Sequence, residues 1–350
     1  MVTERLFGRH SNGQEVNVYH IENSKGAFAE VIPFGAFLVK LCVPDREGSL
    51  RDVVLGYDSL EGYEANNFYF GATIGRNGNR IAHAEFKING ETVTLFKNEN
   101  DNNLHSAPDG FESKMWDVKE AAADGNSVTF CRISPDGESG FPGEMQVSVK
   151  YEMTEDCELR IQYNACADKD TVANFTNHSY FNLAGEGNGD ILSQELAIFA
   201  QYYTPVDSVS IPVGIKTPVE GSVMDFRSAK PIGRDIEADA VQLHYTGGFD
   251  HNFVTDNYEK GKVRDIAEAY CSESGIRMTV SSDLPCVQFY AGNFITDEKG
   301  KNGHVYKKRT GFCLETQVEP DAVNVTDFHS PVIRAGEQFQ SVTAYRFSVG

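Results

Sequence analysis

The sequence contains no C-x-x-C pair, no apolar run of membrane-spanning length and no sustained block of one charge sign. Its seven cysteines, at 42, 131, 157, 166, 271, 286 and 313, are odd in number and irregularly spaced. That excludes a complete disulfide framework and a zinc-ribbon pattern, and predicts reduced, mostly buried thiols. Positive charge is also scarce: 31 Lys and Arg stand against 51 Asp and Glu, a formal net charge of −20. A nucleic-acid partner needs Lys and Arg to neutralise phosphates, so none is expected. A strongly anionic substrate is disfavoured for the same reason, unless a local Arg cluster overrides the global field. The N-terminus, MVTERLFGRHSNG, has charge at residues 4 and 5 and no apolar core, so it does not read as a signal peptide. With no membrane partner expected, the sequons at Asn174, Asn177 and Asn324 read as chance matches in a soluble, cytoplasmic protein.

Several chemistries lack their motifs. There is no G-x-S-x-G elbow and no P-loop, and the glycines at 185, 187 and 189 are not followed by the helix and further Gly of a dinucleotide fingerprint. Nine histidines include no H-x-H or H-E-x-x-H pair, so no dedicated metal site and no cofactor are expected.

What is present is a strand-and-turn rhythm. Residues 15–21, 27–32, 37–43 and 53–55 read as short strands, and 59–66 as a short helix. Residues 84–88 and 91–96 flank Asn89-Gly90, the strongest short hairpin signal in the chain. Residues 128–134, 146–153 and 158–165 follow, the last two pairing across 154–157. Then come 195–200, 206–211, 263–270, 275–281, 287–290, 311–316 and 341–349. Residues 299–308, KGKNGHVYKK, read as a basic surface loop. No amphipathic helical pattern exceeds about three turns. The expectation is all-β: one large antiparallel domain over 1–350, built of stacked sheets.

Six stretches combine reactive side chains with Gly or Pro in ways that core packing does not require. Central among them is FTNHSYFNLAG (175–185), whose alternation puts Thr176, His178, Tyr180 and Asn182 on one face of an extended segment. A lone His on such a face reads as a core residue bonded to its neighbours; His178 becomes a site candidate only if other segments supply partners. They do. GRNGNRI offers Asn79 and Arg80, and NNLHSAPDGFESKMW offers His105 beside the only Trp, Trp116. GGFDHNFV offers Asp250, LPCVQFYAGNF offers Gln288, and GFCLETQVEPDAVN offers Glu315. Singly, each has a bland reading as an ion-pair partner, a turn residue or a solvent-facing side chain. Together they suit metal-free acid–base chemistry on a polar small molecule.

These motifs, in this order from about residue 30 to the C-terminus, resemble the aldose 1-epimerase (galactose mutarotase) family. The resemblance implies a galactose-mutarotase-like β-supersandwich, a monosaccharide substrate and anomer interconversion without metal or cofactor, in a monomer or homodimer. It puts Glu315 at the general-base position and His178 at the general-acid position. It puts Asn79, Arg80, His105, Asp250 and Gln288 at substrate-binding positions. Mutarotation removes a proton from the anomeric hydroxyl while another reaches the ring oxygen, and a carboxylate and an imidazolium on opposite sides of the sugar suit that task.

Two departures from the family pattern stand out. Ser106-Ala107-Pro108-Asp109 replaces the usual paired glycines after the loop His, adding a carboxylate near His105. Phe141 replaces a Tyr in the turn GESGFPGE, removing a hydroxyl if that turn lines the pocket. The alternatives left open are a hexose-6-phosphate epimerase, with Arg76 and Arg80 as candidate phosphate ligands, a non-catalytic sugar-binding module, and a glycosidase using Asp250 and Glu315.

Overall fold

Alternation in the sequence becomes two faces in space. Along Met145–Met153, residues Val147, Val149, Tyr151 and Met153 are buried while those between them are more open, as period-two side chains dictate. The strand pairs antiparallel with Glu158–Ala167, Val149 opposite Tyr163, across the expected turn. The computed structural model describes residues 1–121 and 125–350.

These two strands belong to a nine-stranded sheet running from Asp117–Ala121 at one edge to Lys230–Pro231 at the other, with Gln338–Val349 at its centre. Residues Val2–Arg9 through Leu50–Asp52 form a five-stranded sheet in sequence order. A second five-stranded sheet has the order Thr217–Pro218, Ala200–Thr204, Asp250–Thr255, Cys286–Tyr290, Cys313–Gln317. One continuous apolar cluster joins all three: Ile21 and Leu41 from the first small sheet, Val149, Ile161 and Tyr345 from the large one, Phe253, Phe289 and Leu314 from the second. The Tyr345 hydroxyl donates to the Leu314 carbonyl at 3.1 Å, tying the large sheet to the second small one. Every such fully buried aromatic or aliphatic side chain contributes about 1.5–3 kcal/mol. The result is the all-β antiparallel sandwich that the rhythm predicts. The helices are short, Leu60–Glu64 and Val241–Thr246, and among the described residues no helix is long and apolar enough to cross a membrane.

Several local expectations are corrected. Residues 206–211 form no strand: the Asp207 carboxylate accepts from the backbone N–H of Val209 and Ile211, and Val206 bridges Pro212 to close a turn. An Asp that bonds its own backbone outcompetes the ladder there. Of 175–185, only Thr176–His178 is strand, and the whole stretch is buried. Residues 299–308 are not a simple surface loop. Glu298–Lys299 and Val305–Tyr306 pair as a hairpin that turns Lys301 inward, where its ammonium donates to Asp52 Oδ2 at 2.7 Å and the Val54 carbonyl at 2.8 Å. Val54 itself makes only an isolated bridge, to Phe181, so no strand covers 53–55.

Arg76 is likewise interior. Its guanidinium donates to the carbonyls of Ser134, Pro135, Pro142 and Gly143 at 2.7–3.0 Å and to Ser134 Oγ at 3.0 Å, so it clamps the turn at 135–143. Arg76→Lys cannot reproduce that planar fork. It is expected to cost about 3 kcal/mol by leaving buried carbonyls without donors, read from denaturant unfolding. An unchanged unfolding midpoint contradicts the clamp.

Candidate active site

The second small sheet supplies one wall of the site. On Cys313–Gln317, Leu314 and Thr316 face the core, which leaves Cys313, Glu315 and Gln317 on the opposite face. The register sets Gln288 directly opposite Glu315 and Asn252 opposite Gln288, so their side chains share that face. Asp250, two residues before Asn252, lies on it too, and Gln288 Nε2 donates to Asp250 Oδ1 at 2.6 Å. Gln317 Nε2 donates to Asn252 Oδ1 at 2.9 Å, continuing the polar row below the pocket.

The opposite wall comes from paired short strands. Thr176–His178 runs antiparallel to Ala72–Ile74, and Asn103–Leu104 to Arg80–Ile81, which sets His105 beside Asn79 and His178. The His105 and His178 rings meet edge to face at 5.1 Å between centroids, and Tyr69 packs on both at 5.0 and 5.7 Å. Tyr69, Asn79 and His105 adopt left-handed backbone, with φ of 60°, 62° and 59°. Such residues cost about 1–3 kcal/mol each and persist only where the surroundings hold them. Gly71 (φ 75°) is required for the approach of this segment, because a Cβ there lies 2.1 Å from the Leu38 carbonyl oxygen.

All seven residues singled out in the sequence line a single cavity of about 210 Å³: Glu315, His178, Asn79, Arg80, His105, Asp250 and Gln288. Sequence reasoning missed Glu99, which also lines it and receives the Arg80 guanidinium in two parallel bonds of 2.6 and 2.7 Å. It also missed the aromatic walls Tyr69, Tyr290 and Phe294, while Tyr180, set beside His178 by alternation, lines the cavity too. Three highlighted features lie elsewhere. Phe141 packs with Phe86 and Ile88 in a separate apolar cluster, so the missing hydroxyl has no bearing on the pocket. Trp116 belongs to the main core. Asp109 pairs with Lys114 at the surface, and Ser106 is buried, bonding the backbone N–H and carbonyl of Asn77.

Glu315 and His178 are not on opposite sides of the cavity. Glu315 Oε1 lies 3.7 Å from His178 Nε2, and Oε2 is buried with no partner within the protein. Cys313 Sγ lies 3.6 Å from His178 Nδ1 and serves as its partner, so Nε2 is the nitrogen that faces Glu315. The adjacency has a chemical sense. The anomeric hydroxyl oxygen and the ring oxygen of a pyranose are bonded to the same carbon, so an acid and a base that serve both belong side by side.

Burial sets the protonation of the pair. It pushes the Glu315 carboxyl well above the usual range, with the Asp250 carboxylate adding to it and Arg80 opposing. It pushes the His178 imidazole down to about 4. Burial above all, with His178 and Arg80 nearby adding to it, also holds His105 well below its ordinary value. The Asn79 N–H donates to His105 Nδ1 at 3.1 Å, which leaves the neutral ring's hydrogen on Nε2. Asp250 is raised by burial, against the pull of Arg80 and the Gln288 amide. Between about pH 4 and the raised Glu315 value, Glu315 and His178 together hold one exchangeable proton. The rate constant kcat/KM is therefore expected to fall on the acid side as pH drops through about 4, when a second proton arrives. It falls on the alkaline side as the shared proton leaves Glu315. Polarimetric rates against pH, corrected for spontaneous mutarotation, check this; an acid limb near the ordinary histidine value contradicts it.

His105, His178 and Glu315 also offer ligand atoms all within 4.8 Å of one another, a spacing a divalent ion can bridge. Acid–base work needs the same atoms free for protons.

Comparison with known proteins identifies the family. The sequence model of the family described as aldose 1-epimerase matches residues 17–346. The chain is 41% identical to galactose mutarotase from Homo sapiens over 350 residues, 99% of each chain. It is 35% identical to aldose 1-epimerase from Escherichia coli over 338 residues, 96% of each. Among solved structures, an aldose epimerase homologue from C. elegans superimposes with a TM-score of 0.88 at 29% identity, covering 95% of this chain and 99% of the other. The galactose 1-epimerase of Lactobacillus acidophilus gives 0.87 at 26% identity, covering 100% and 99%. The chain belongs to the aldose 1-epimerase family.

Proposed function

We propose that this protein interconverts the α and β anomers of free aldohexoses such as glucose and galactose, with Glu315 as general base and His178 as general acid. The observation that carries the reading is the 3.7 Å separation of Glu315 Oε1 and His178 Nε2 inside a sugar-sized polar cavity, with Glu315 Oε2 free to accept a hydroxyl. In ring opening, Glu315 takes the proton of the anomeric hydroxyl while protonated His178 delivers one to the ring oxygen. The pair then stands as a neutral acid and a neutral imidazole, the form that burial favours. The aldehyde turns about its C1–C2 bond, and reclosure on the other face runs the proton transfers backward. His105 Nε2–H and the Arg80 guanidinium are donors for charge developing on the ring oxygen. Asp250 and Gln288 take sugar hydroxyls, fixed relative to each other by their 2.6 Å bond.

A phosphorylated sugar fits less well. Among the described residues the cavity is lined by one Arg, already paired with Glu99, against the carboxyls of Glu99, Asp250 and Glu315. Arg76, the other candidate phosphate ligand, is bound to backbone carbonyls around 134–143. Polarimetry of freshly dissolved α-D-glucose and α-D-galactose, beside their 6-phosphates, tests the reading. Rapid relaxation of the free sugars supports it. Acceleration of the phosphates alone, or of neither, contradicts it.

A further inference from the structure

The same sheet face continues past the sugar site. Cys286 lies on it, two residues before Gln288 and opposite Gln317, and Glu319 follows just beyond the end of the neighbouring strand. His329 returns to this point from the loop that follows. Ligand atoms of Cys286, Glu319 and His329 all lie within 4.8 Å of one another.

We propose that Cys286, Glu319 and His329 form a binding site for one divalent cation of the zinc or cobalt(II) type, separate from the sugar site. A thiolate, a carboxylate and an imidazole are the donor set such ions take, and hard cations such as calcium and magnesium avoid sulfur. The donors are held in place beforehand. His329 Nδ1 lies 3.0 Å from both Glu319 oxygens, and the His329 backbone N–H donates to Glu319 Oε2 at 3.1 Å. The ring is further fixed by an edge contact with Tyr258, 5.0 Å between centroids. The Glu319 carboxylate is fully buried and the Cys286 thiol is buried beside it. A cavity of about 280 Å³, lined by Tyr258, Pro285, Val318 and, of the three ligands, His329, lies beside the cluster. Three protein ligands leave a fourth tetrahedral position for water.

The competing reading is an ion-pair cluster, since Lys216 Nζ lies 2.9 Å from Glu319 Oε1. Lys216 and His329 account for the carboxylate, but neither accounts for a thiol placed against it. Lys216 is partly exposed, so its flexible stem can withdraw its ammonium from an arriving ion. The sequence did not show the site because its ligands stand 33 and 10 residues apart, outside any compact spacing pattern.

Cobalt(II) titration of the reduced, full-length protein tests the proposal. The expected result is a near-ultraviolet thiolate-to-cobalt band that saturates at one equivalent. It disappears in Cys286→Ser and survives in Cys313→Ser, whose sulfur belongs to the sugar site. Zinc competition is expected to show Cys286→Ser binding at least about 10–100-fold more weakly, the loss that even an outer-shell change produces. Lys216→Met is expected to bind several-fold more tightly, because a repelling charge is gone. If Cys286→Ser folds poorly, His329→Gln, on a partly exposed side chain, reads the same loss of zinc affinity. Absence of the band from wild type overturns the proposal. So does a band that survives Cys286→Ser but is lost in Cys313→Ser.

Discussion

Glu315→Gln is expected to lower kcat by about 10²–10⁴-fold, the usual weight of a positioned general base, while KM for the sugar changes little. The amide has the shape of the carboxylate and retains a carbonyl that accepts a hydroxyl hydrogen bond, but it cannot take the proton. The protein should tolerate the exchange. Glu315 Oε2 makes no bond within the protein, and burial already penalises the ionised carboxylate, so stability is expected to hold or rise slightly. Because uncatalysed mutarotation is itself measurable, the residual rate must be read against buffer in the same polarimeter. A purified, folded Glu315→Gln enzyme within tenfold of wild type would sink the assignment of the base.

His178→Asn is the second large effect, expected at about 10²–10⁴-fold in kcat with a milder loss of affinity. The Asn side chain can donate toward the ring oxygen but cannot pass a proton to it. The change also removes the group that sets the acid limb, so the fall of kcat/KM near pH 4 is expected to vanish in this variant. That second readout separates an acid from a merely packed ring. His178 touches Tyr69, His105 and Tyr180, and a structural role alone lowers activity while leaving the residual pH profile intact. Persistence of the acid limb in His178→Asn counts against its role as the proton donor.

Much of this was written locally in the chain. The strands legible in the sequence are those with strict alternation, such as Met145–Met153, or with a turn of fixed chemistry, such as Asn89-Gly90 between Glu85–Ile88 and Glu91–Thr94. The seven site residues stood out because reactive side chains beside glycines in otherwise apolar stretches serve no packing purpose. What stayed hidden depends on distance through space. Glu99 lies on an irregular loop with no period, and only the fold brings it to Arg80. Tyr69 owes its place to a left-handed backbone that its own residue type does not favour. Lys301, among exposed basic neighbours, is buried because Asp52 waits for it 249 residues away. The side-by-side placement of Glu315 and His178 follows from two separate strand pairings, and no sequence spacing encodes it.

The division of each wall strand into core-facing and cavity-facing residues bears on how such a pocket diversifies. Val287, Phe289 and Leu314 answer to the hydrophobic core, while Gln288 and Glu315, one position away, answer to the ligand. Selection on substrate can therefore act on every second residue without disturbing the interior. A combinatorial library confined to positions 250 and 288 should yield mostly folded proteins. Randomising 251, 253, 287 and 289 instead should yield mostly aggregates.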